Sequence, residues 1–170
     1  MKAKTASASK TISTKIVLPN DTNVLGNLMG GQLLNWMDVT GGIAAHRHCG
    51  RVVVTASVNN VSFNHPIALG DIVTIEAKVS RAFTSSMEVF MDVLVERRST
   101  GEKRKCNEAI YTFVAVDQNG SSIEVPEIIP ETELEKLRFE SALRRRQLSL
   151  ILAGKMKPNE ANELKALFDS

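Results

Sequence analysis

Two groups in the first third of the sequence have the types and spacing to act together. One is the carboxylate of Asp38; the other is the set of main-chain amides in GNLMGGQ, Gly26 to Gln32. At about 100° per residue, the helical neighbours of Asp38 are Gly31, Leu34, Gly41, Gly42 and Ala45, with Asn35 at the margin. An acid among apolar or side-chain-free neighbours is poorly solvated, and an apolar setting raises its pKa toward that of a general base or nucleophile. Gly30 and Gly31 leave N–H groups at the start of a helix clear of bulky side chains, which suits an oxyanion developing on an attacked carbonyl. Amides that polarise a carbonyl and a carboxylate nearly two turns further on are the two halves of a hydrolytic site. The alternative is an acid satisfied by local hydrogen bonds, with the glycines serving helix packing. Each interior glycine costs roughly 1 kcal/mol relative to alanine. Gly41-Gly42 therefore implies close approach to the backbone by a partner helix or a ligand chain.

The element that carries these groups is one long helix, Gly30 to His48. Leu33, Leu34, Met37, Ile43, Ala44 and Ala45 recur at helical spacing. Asn27 is a candidate cap for its start. His46, Arg47 and His48 crowd its last turn, where cations suit the dipole, and Gly50 terminates it. Upstream, MKAKTASASK is small and polar and is expected to fray, and TISTKIVLP is a first strand closed by Pro19. Downstream, Arg51 to Asp117 reads as strand throughout. VVVTASVNNVSF is β-branched. DIVTIEAKVS puts Val73, Ile75, Ala77 and Val79 on one face. SMEVFMDVLVE sets Met87, Val89, Met91, Val93 and Val95 against Glu88, Asp92 and Glu96. EAIYTFVAVD is closed by an Asn119-Gly120 turn. The short turns ALGD and RSTGEK predict antiparallel pairing between consecutive strands. From Pro130 a charged helix follows with Leu134, Leu137, Leu148 and Ile151 as its apolar stripe, and a short helix from Pro158 ends the chain.

One helix covers a five-stranded sheet only if the sheet curls around it. The order therefore predicts an α+β hotdog fold, a curved antiparallel sheet wrapped around one long central helix with a C-terminal helical tail. Residues 8–120 form the main domain and 121–170 the extension. Exposed edge strands call for cover, so the chain is not expected to be a monomer.

At 170 residues, 43% of them hydrophobic, the chain has the size and apolar content of one domain with a buried core. A formal charge of +2 gives no reason to expect a nucleic-acid partner. Cys49 and Cys106 match no zinc or CxxC spacing, no signal peptide opens the sequence, and apolar runs fall short of the ~18 residues of a membrane helix. A soluble, cytoplasmic protein with reduced thiols is expected. His46 and His48 lack accompanying ligands, so the helix dipole is their reading and no metal is expected. Arg144, Arg145 and Arg146 read as the exposed face of a tail helix.

The set N-x-x-G-N-x-x-G-G, WMD, RH, VVTASV, F-x-x-P-I-x-x-G-D and TSSM, over about residues 10 to 118, resembles the cytosolic acyl-CoA thioesterases of the hotdog superfamily. The resemblance implies hydrolysis of acyl-CoA, with catalytic residues Asn23 and Asp38 contributed by opposite subunits of a homodimer. It implies that Asp38 activates water or attacks the thioester, that Asn23 orients water or substrate, and that amides near Gly30 and Gly31 hold the thioester oxygen. It assigns coenzyme A contacts to the strand of Thr55 and to the turn with Ser85 and Ser86, with Arg81 meeting a phosphate. No cofactor is required beyond coenzyme A as part of substrate and product. The dimers are expected to assemble as a hexamer, a trimer of dimers. Two further readings of the same fold stand beside it. A non-catalytic acyl-CoA sensor would lack the helix acid. A dehydratase would need a histidine–acid pair, for which His65 in FNHPIALGD is the candidate.

Overall fold

A computed structural model describes residues 1–59, 61–63 and 65–168. The central helix, α1, runs Gly30–Cys49. Before it come β1 (Lys4–Thr5) and β2 (Thr11–Ile16); after it come β3 (Val52–Asn59), β4 (Ile72–Ala82), β5 (Ser86–Glu96), β6 (Lys103–Val116), β7 (Ile128–Ile129), α2 (Glu133–Leu152) and α3 (Asn162–Lys165). The expected strand VVVTASVNNVSF ends at Asn59, and its Asn60 lies outside the described residues, as do residues 169 and 170 of the extension.

Five strands form one antiparallel sheet in the order β2-β4-β5-β6-β3. The outer strands of a flat sheet this wide stand about 19 Å apart, almost twice the diameter of a helix. Yet α1 touches all five strands, which requires the sheet to curl around it. The inward-facing residues of β4 and β5 are the predicted ones: Val73, Ile75, Ala77, Val79, Met87, Val89, Met91, Val93 and Val95 are all buried. They pack with Leu33, Trp36, Met37, Ala44 and Ala45 of α1.

Several expectations give way. Consecutive strands pair across RSTGEK, but β3 does not pair with β4. It runs along β6 at the far edge instead, with β5 and β6 between it and β4. Ile43 lies on the exposed side of α1. Asn27 does not cap α1: Met29 occupies that position without a side-chain bond, and Asn27 is held by Asn23 and a bridge to Ala68. At the other end Gly50, at φ 66°, closes the helix by donating to the His46 carbonyl at 2.7 Å.

The N-terminus is not frayed. β1 pairs with β7 in parallel, Ala6 and Ser9 are buried, and the Val79 amide donates to Ser9 Oγ at 2.9 Å. Lys4 Nζ donates to the His48 carbonyl at the end of α1, 2.6 Å away, adding a cation where the helix dipole is negative.

The tail helix is turned the opposite way from the reading of its leucines. Leu134, Leu137 and Leu148 are exposed, and the charged face packs on the sheet. Glu88, expected in solvent, is buried. It accepts from Arg145 Nε and Nη2 at 2.9 and 2.8 Å and from Ser80 Oγ at 2.6 Å. Arg138 reaches both oxygens of Asp92 at 2.9 Å and lies 3.8 Å over the Phe90 ring. Arg146 donates to Ser86 Oγ and lies over Phe83, so the Arg144–Arg146 run is not a free surface. Glu135, in a capping box with Thr132, accepts from Lys78 at 2.6 Å. Burial pushes its carboxyl up, but Lys78 and the Glu131 and Thr132 amides outweigh this and hold it below its usual value. Periodicity identified the helix; it could not say which face would find partners, because the partners are charges on β4 and β5.

Candidate functional site

Asp38 lies on the flank of α1 where the buried face meets solvent, and it is half-buried. Its Oδ1 accepts from the Thr55 hydroxyl at 2.6 Å. Thr55 stands opposite Phe113 of β6, next to a register shift between Thr55 and Ser57. A bulge of this kind re-aims the side chains beside it. Asp38 shares a cleft of about 280 Å³ with Leu34, Asn35, Val58 and Tyr111. Burial and the Asp38 carboxylate push the Tyr111 phenol up to about 12.

The two glycine pairs have different physical reasons. A Cβ on Gly41 would stand 3.0 Å from Phe113 Cε2 and 3.2 Å from Met91 Cε, so the close approach at this point is by the sheet of the same chain. At Gly42 the Phe113 ring is in ordinary contact at 3.7 Å. At Gly31 a Cβ would meet nothing within 4 Å, and at Gly30 it would meet the Phe63 ring at 3.3 Å. The first main-chain donors of α1 to find acceptors are Gln32 and Leu33, both bonding to the Met29 carbonyl. Among the described residues, no hydrogen bond uses the amides of Gly30 and Gly31.

Asn23 sits in a tight turn that precedes α1. Its Oδ1 accepts from the amides of Leu25 (2.9 Å) and Asn27 (3.2 Å), and its own amide donates to the Asn27 carbonyl at 2.8 Å. With the oxygen so used, the Nδ2 hydrogens are what Asn23 has to offer a substrate. The turn holds Val24 and Leu25 out into solvent. Asn23 shares a cleft of about 330 Å³ with Gly30, Phe63, His65 and Ile67. One chain therefore places Asn23 and Gly30 in one cleft and Asp38, bonded to Thr55, in another.

Arg81 and Ser86 share one cluster, in which Arg81 and Arg146 both lie over the Phe83 ring and Arg146 donates to Ser86 Oγ, whereas Thr55 bonds to α1. Thr55 is bonded to the site acid itself. Arg81 is half-buried and not free at its strand end: it donates to the Phe139 carbonyl at 3.0 Å and stacks 4.1 Å over that ring. Burial there pulls its guanidinium below its usual value. Ser86 is buried beneath Arg146, and the Ser85 carbonyl accepts from Ala115. His65 lines the cleft of Asn23, and within one chain it is not beside Asp38. Tyr111 and Phe63 were missed by the sequence reading. Tyr111 could have been found, being the one tyrosine of the chain and in phase with Phe113 on β6.

Residues 25–102 match the family model described as the thioesterase superfamily. An acyl-CoA thioester hydrolase of Bacillus subtilis, itself uncharacterized, is 43% identical over 137 residues, covering 81% of this chain and 80% of that protein. Mouse acyl-coenzyme A thioesterase 11 is 41% identical over 144 residues, 85% of this chain; the match spans 24% of that longer protein. An apo-hexameric acyl-CoA thioesterase superposes with a TM-score of 0.86 at 36% identity, covering 90% of this chain and 98% of its own. The Staphylococcus aureus acyl-CoA hydrolase, solved with butyryl coenzyme A, coenzyme A and coenzyme A disulfide, gives a TM-score of 0.82 at 35% identity, covering 90% and 95%. It has also been solved as variants in which an asparagine, an aspartate and a threonine are each replaced by alanine. With a curled sheet around a single helix and identity of this extent along the chain, the protein belongs to the acyl-CoA thioester hydrolases of the thioesterase superfamily.

Proposed function

We propose that this protein hydrolyses acyl-coenzyme A thioesters to the free acid and coenzyme A, with Asp38 as the base that activates water or as the attacking nucleophile. In the water route, Asp38 takes a proton as the water oxygen bonds to the thioester carbon. The carbon–sulfur bond then breaks and coenzyme A leaves as a thiolate, a good leaving group. The amides of Gly30 and Gly31 hold the carbonyl oxygen as it gains charge. Asn23, whose oxygen is already engaged, donates through Nδ2 to that oxygen or to the water. Every step runs through these groups, and coenzyme A enters only as part of substrate and product.

One observation carries the reading. The asparagine, aspartate and threonine replaced in the Staphylococcus aureus variants stand at the same intervals along that chain as Asn23, Asp38 and Thr55 stand here. The Thr55–Asp38 hydrogen bond gives the threonine a reason to belong to that set. Thr55 is accordingly read as orienting the carboxylate and not as a coenzyme A contact. Ser85 and Ser86 remain proposed for the pantetheine path through their main-chain groups, and Arg81 is assigned no phosphate.

The two clefts of one chain become one site if Asn23 and Gly30 of one subunit meet Asp38 and Thr55 of another. The edge strand β3 supports this pairing, with Val52, Val54 and Val58 exposed along it and Val39 and Ile43 exposed on the adjoining flank of α1. Assembly of such dimers as a trimer of dimers agrees with the hexameric relative. Residues 8–120 carry the chemistry, and the extension 121–170 braces the outer face of the sheet. Among the described residues no helix is long and apolar enough to cross a membrane, and both cysteines are free thiols, in keeping with a cytoplasmic site of action. The test is a thiol-release assay on an acyl-CoA length series. Turnover of at least one chain length by the wild type is expected, and no turnover across the series contradicts the reading.

A further inference from the structure

The hydroxyl of Tyr111 donates to the main-chain carbonyl of Leu34 at 3.1 Å. In an α-helix that carbonyl also receives the amide four residues on, which here is the amide of Asp38. One oxygen thus carries both the phenol of β6 and the N–H of the candidate base. The Tyr111 ring is buried and stacks on Phe113, centroids 6.2 Å apart, and Phe113 stands against Gly41. Two neighbouring residues of one strand therefore seat α1. The Phe113 contact at Gly41 sets the depth at which the helix lies, and the Tyr111 bond at Leu34 sets its rotation about its axis. Asp38 falls between these two points.

We infer that Tyr111 is a positioning residue for Asp38, fixing through the Leu34 carbonyl the angle at which the carboxylate faces its cleft. The inference rests on the assignment of Asp38 as base or nucleophile. Stability alone does not call for the hydroxyl. A buried hydroxyl costs about 1–3 kcal/mol unless it is bonded, and the bond to Leu34 does little more than offset this. Phe113, two residues on and facing the same way, packs on the same helix without one. The phenol holds its proton far above neutrality, so it is a steady donor and does not compete with Asp38 as a base. Thr55 fixes the same carboxylate from β3, so helix rotation and side-chain orientation are set by two hydroxyls on neighbouring strands.

Tyr111→Phe, Thr55→Val, their combination and Asp38→Ala, compared in one thiol-release assay with butyryl-CoA, test this. Tyr111→Phe is expected to lower kcat roughly tenfold with KM changed less than about twofold and the melting temperature unchanged. The double variant should lose less than the product of the single losses, because both hydroxyls act through one carboxylate. An unchanged kcat, a rise in KM alone, or strictly multiplicative losses would each overturn the proposal, the second making Tyr111 a wall of the acyl cleft. Full activity in Asp38→Ala would instead overturn the assignment of the base.

Discussion

The region beneath α2 and the region around the α1 flank and the β3 edge are finished to different degrees. On the outer face, beneath α2, acids and bases are matched. Glu88 is met by Arg145 and Ser80, Asp92 by Arg138 and Lys105, and Glu135 by Lys78 and two main-chain amides. Around the flank and N-terminus of α1 and along the edge strand β3, Val24, Leu25, Val39, Ile43, Val52, Val54 and Val58 are exposed, and the polar groups fall into two half-lined clefts. The region beneath α2 is complete within one chain, whereas the α1 flank and the β3 edge have the character of a surface that a second copy covers. The difference separates stability from activity: changes beneath α2 should unfold the protein, and changes at the flank should stop the chemistry.

The largest effect should come from Asp38→Ala. General-base catalysis contributes typically 10²–10⁴-fold, so kcat is expected to fall about a thousandfold while the circular dichroism spectrum and melting temperature hold. Comparable loss of stability would erase the contrast between the two regions. Next is Arg145→Met, which leaves Glu88 buried with only Ser80. Removing one partner of a buried pair costs about 3–5 kcal/mol, and the partial exposure of Arg145 lowers this to roughly 2–3 kcal/mol in denaturant unfolding. Turnover per folded molecule should be unchanged.

A third expectation concerns pH. His48 is buried, its Nε2 2.7 Å from the Pro126 carbonyl, between the C-terminus of α1 and the segment leading to β7. Burial lowers its pKa below 6.5, Lys4 adds to this, and the Pro126 carbonyl opposes it. A folded-state pKa below the unfolded one gives stability that is present above 6.5 and is lost as pH falls through it toward the folded value. The melting temperature should therefore drop as pH falls from above 6.5 to below it. His48→Gln should flatten that slope, and an unaltered slope would remove His48 from the account.

The smallest effects separate the two glycines of the second pair. Gly42→Ala, with Phe113 in ordinary contact, should gain up to about 1 kcal/mol from helix propensity. Gly41→Ala drives a methyl into Phe113 and Met91 and should lose about 1–3 kcal/mol before that gain is counted. Equal melting temperatures for the two would contradict the packing explanation.

Much of this was legible in the sequence. The alternation in β4 and β5 named the inward-facing residues, and helical spacing with Gly50 bounded α1. Asp38 could be singled out as a carboxylate with an apolar helical neighbourhood, but its roles came from resemblance. Pairing of β3 with β6 was not legible, because strand order depends on where the connection after β3 travels. The orientation of α2 was hidden as well, since an arginine face reads as solvent until Glu88 and Asp92 are known to lie beneath it. Gly41 pointed to a close approach, and only the fold identified Phe113 as what approaches.

The central claim is that the site is assembled from Asn23 of one subunit and Asp38 of another. It is tested most directly by mixing Asn23→Ala and Asp38→Ala proteins, each inactive alone, under conditions of subunit exchange. In half of the dimers formed at random, one of the two sites regains both residues, so the mixture should recover about a quarter of wild-type turnover. A mixture no more active than its separate components would contradict the claim and return both residues to a single chain.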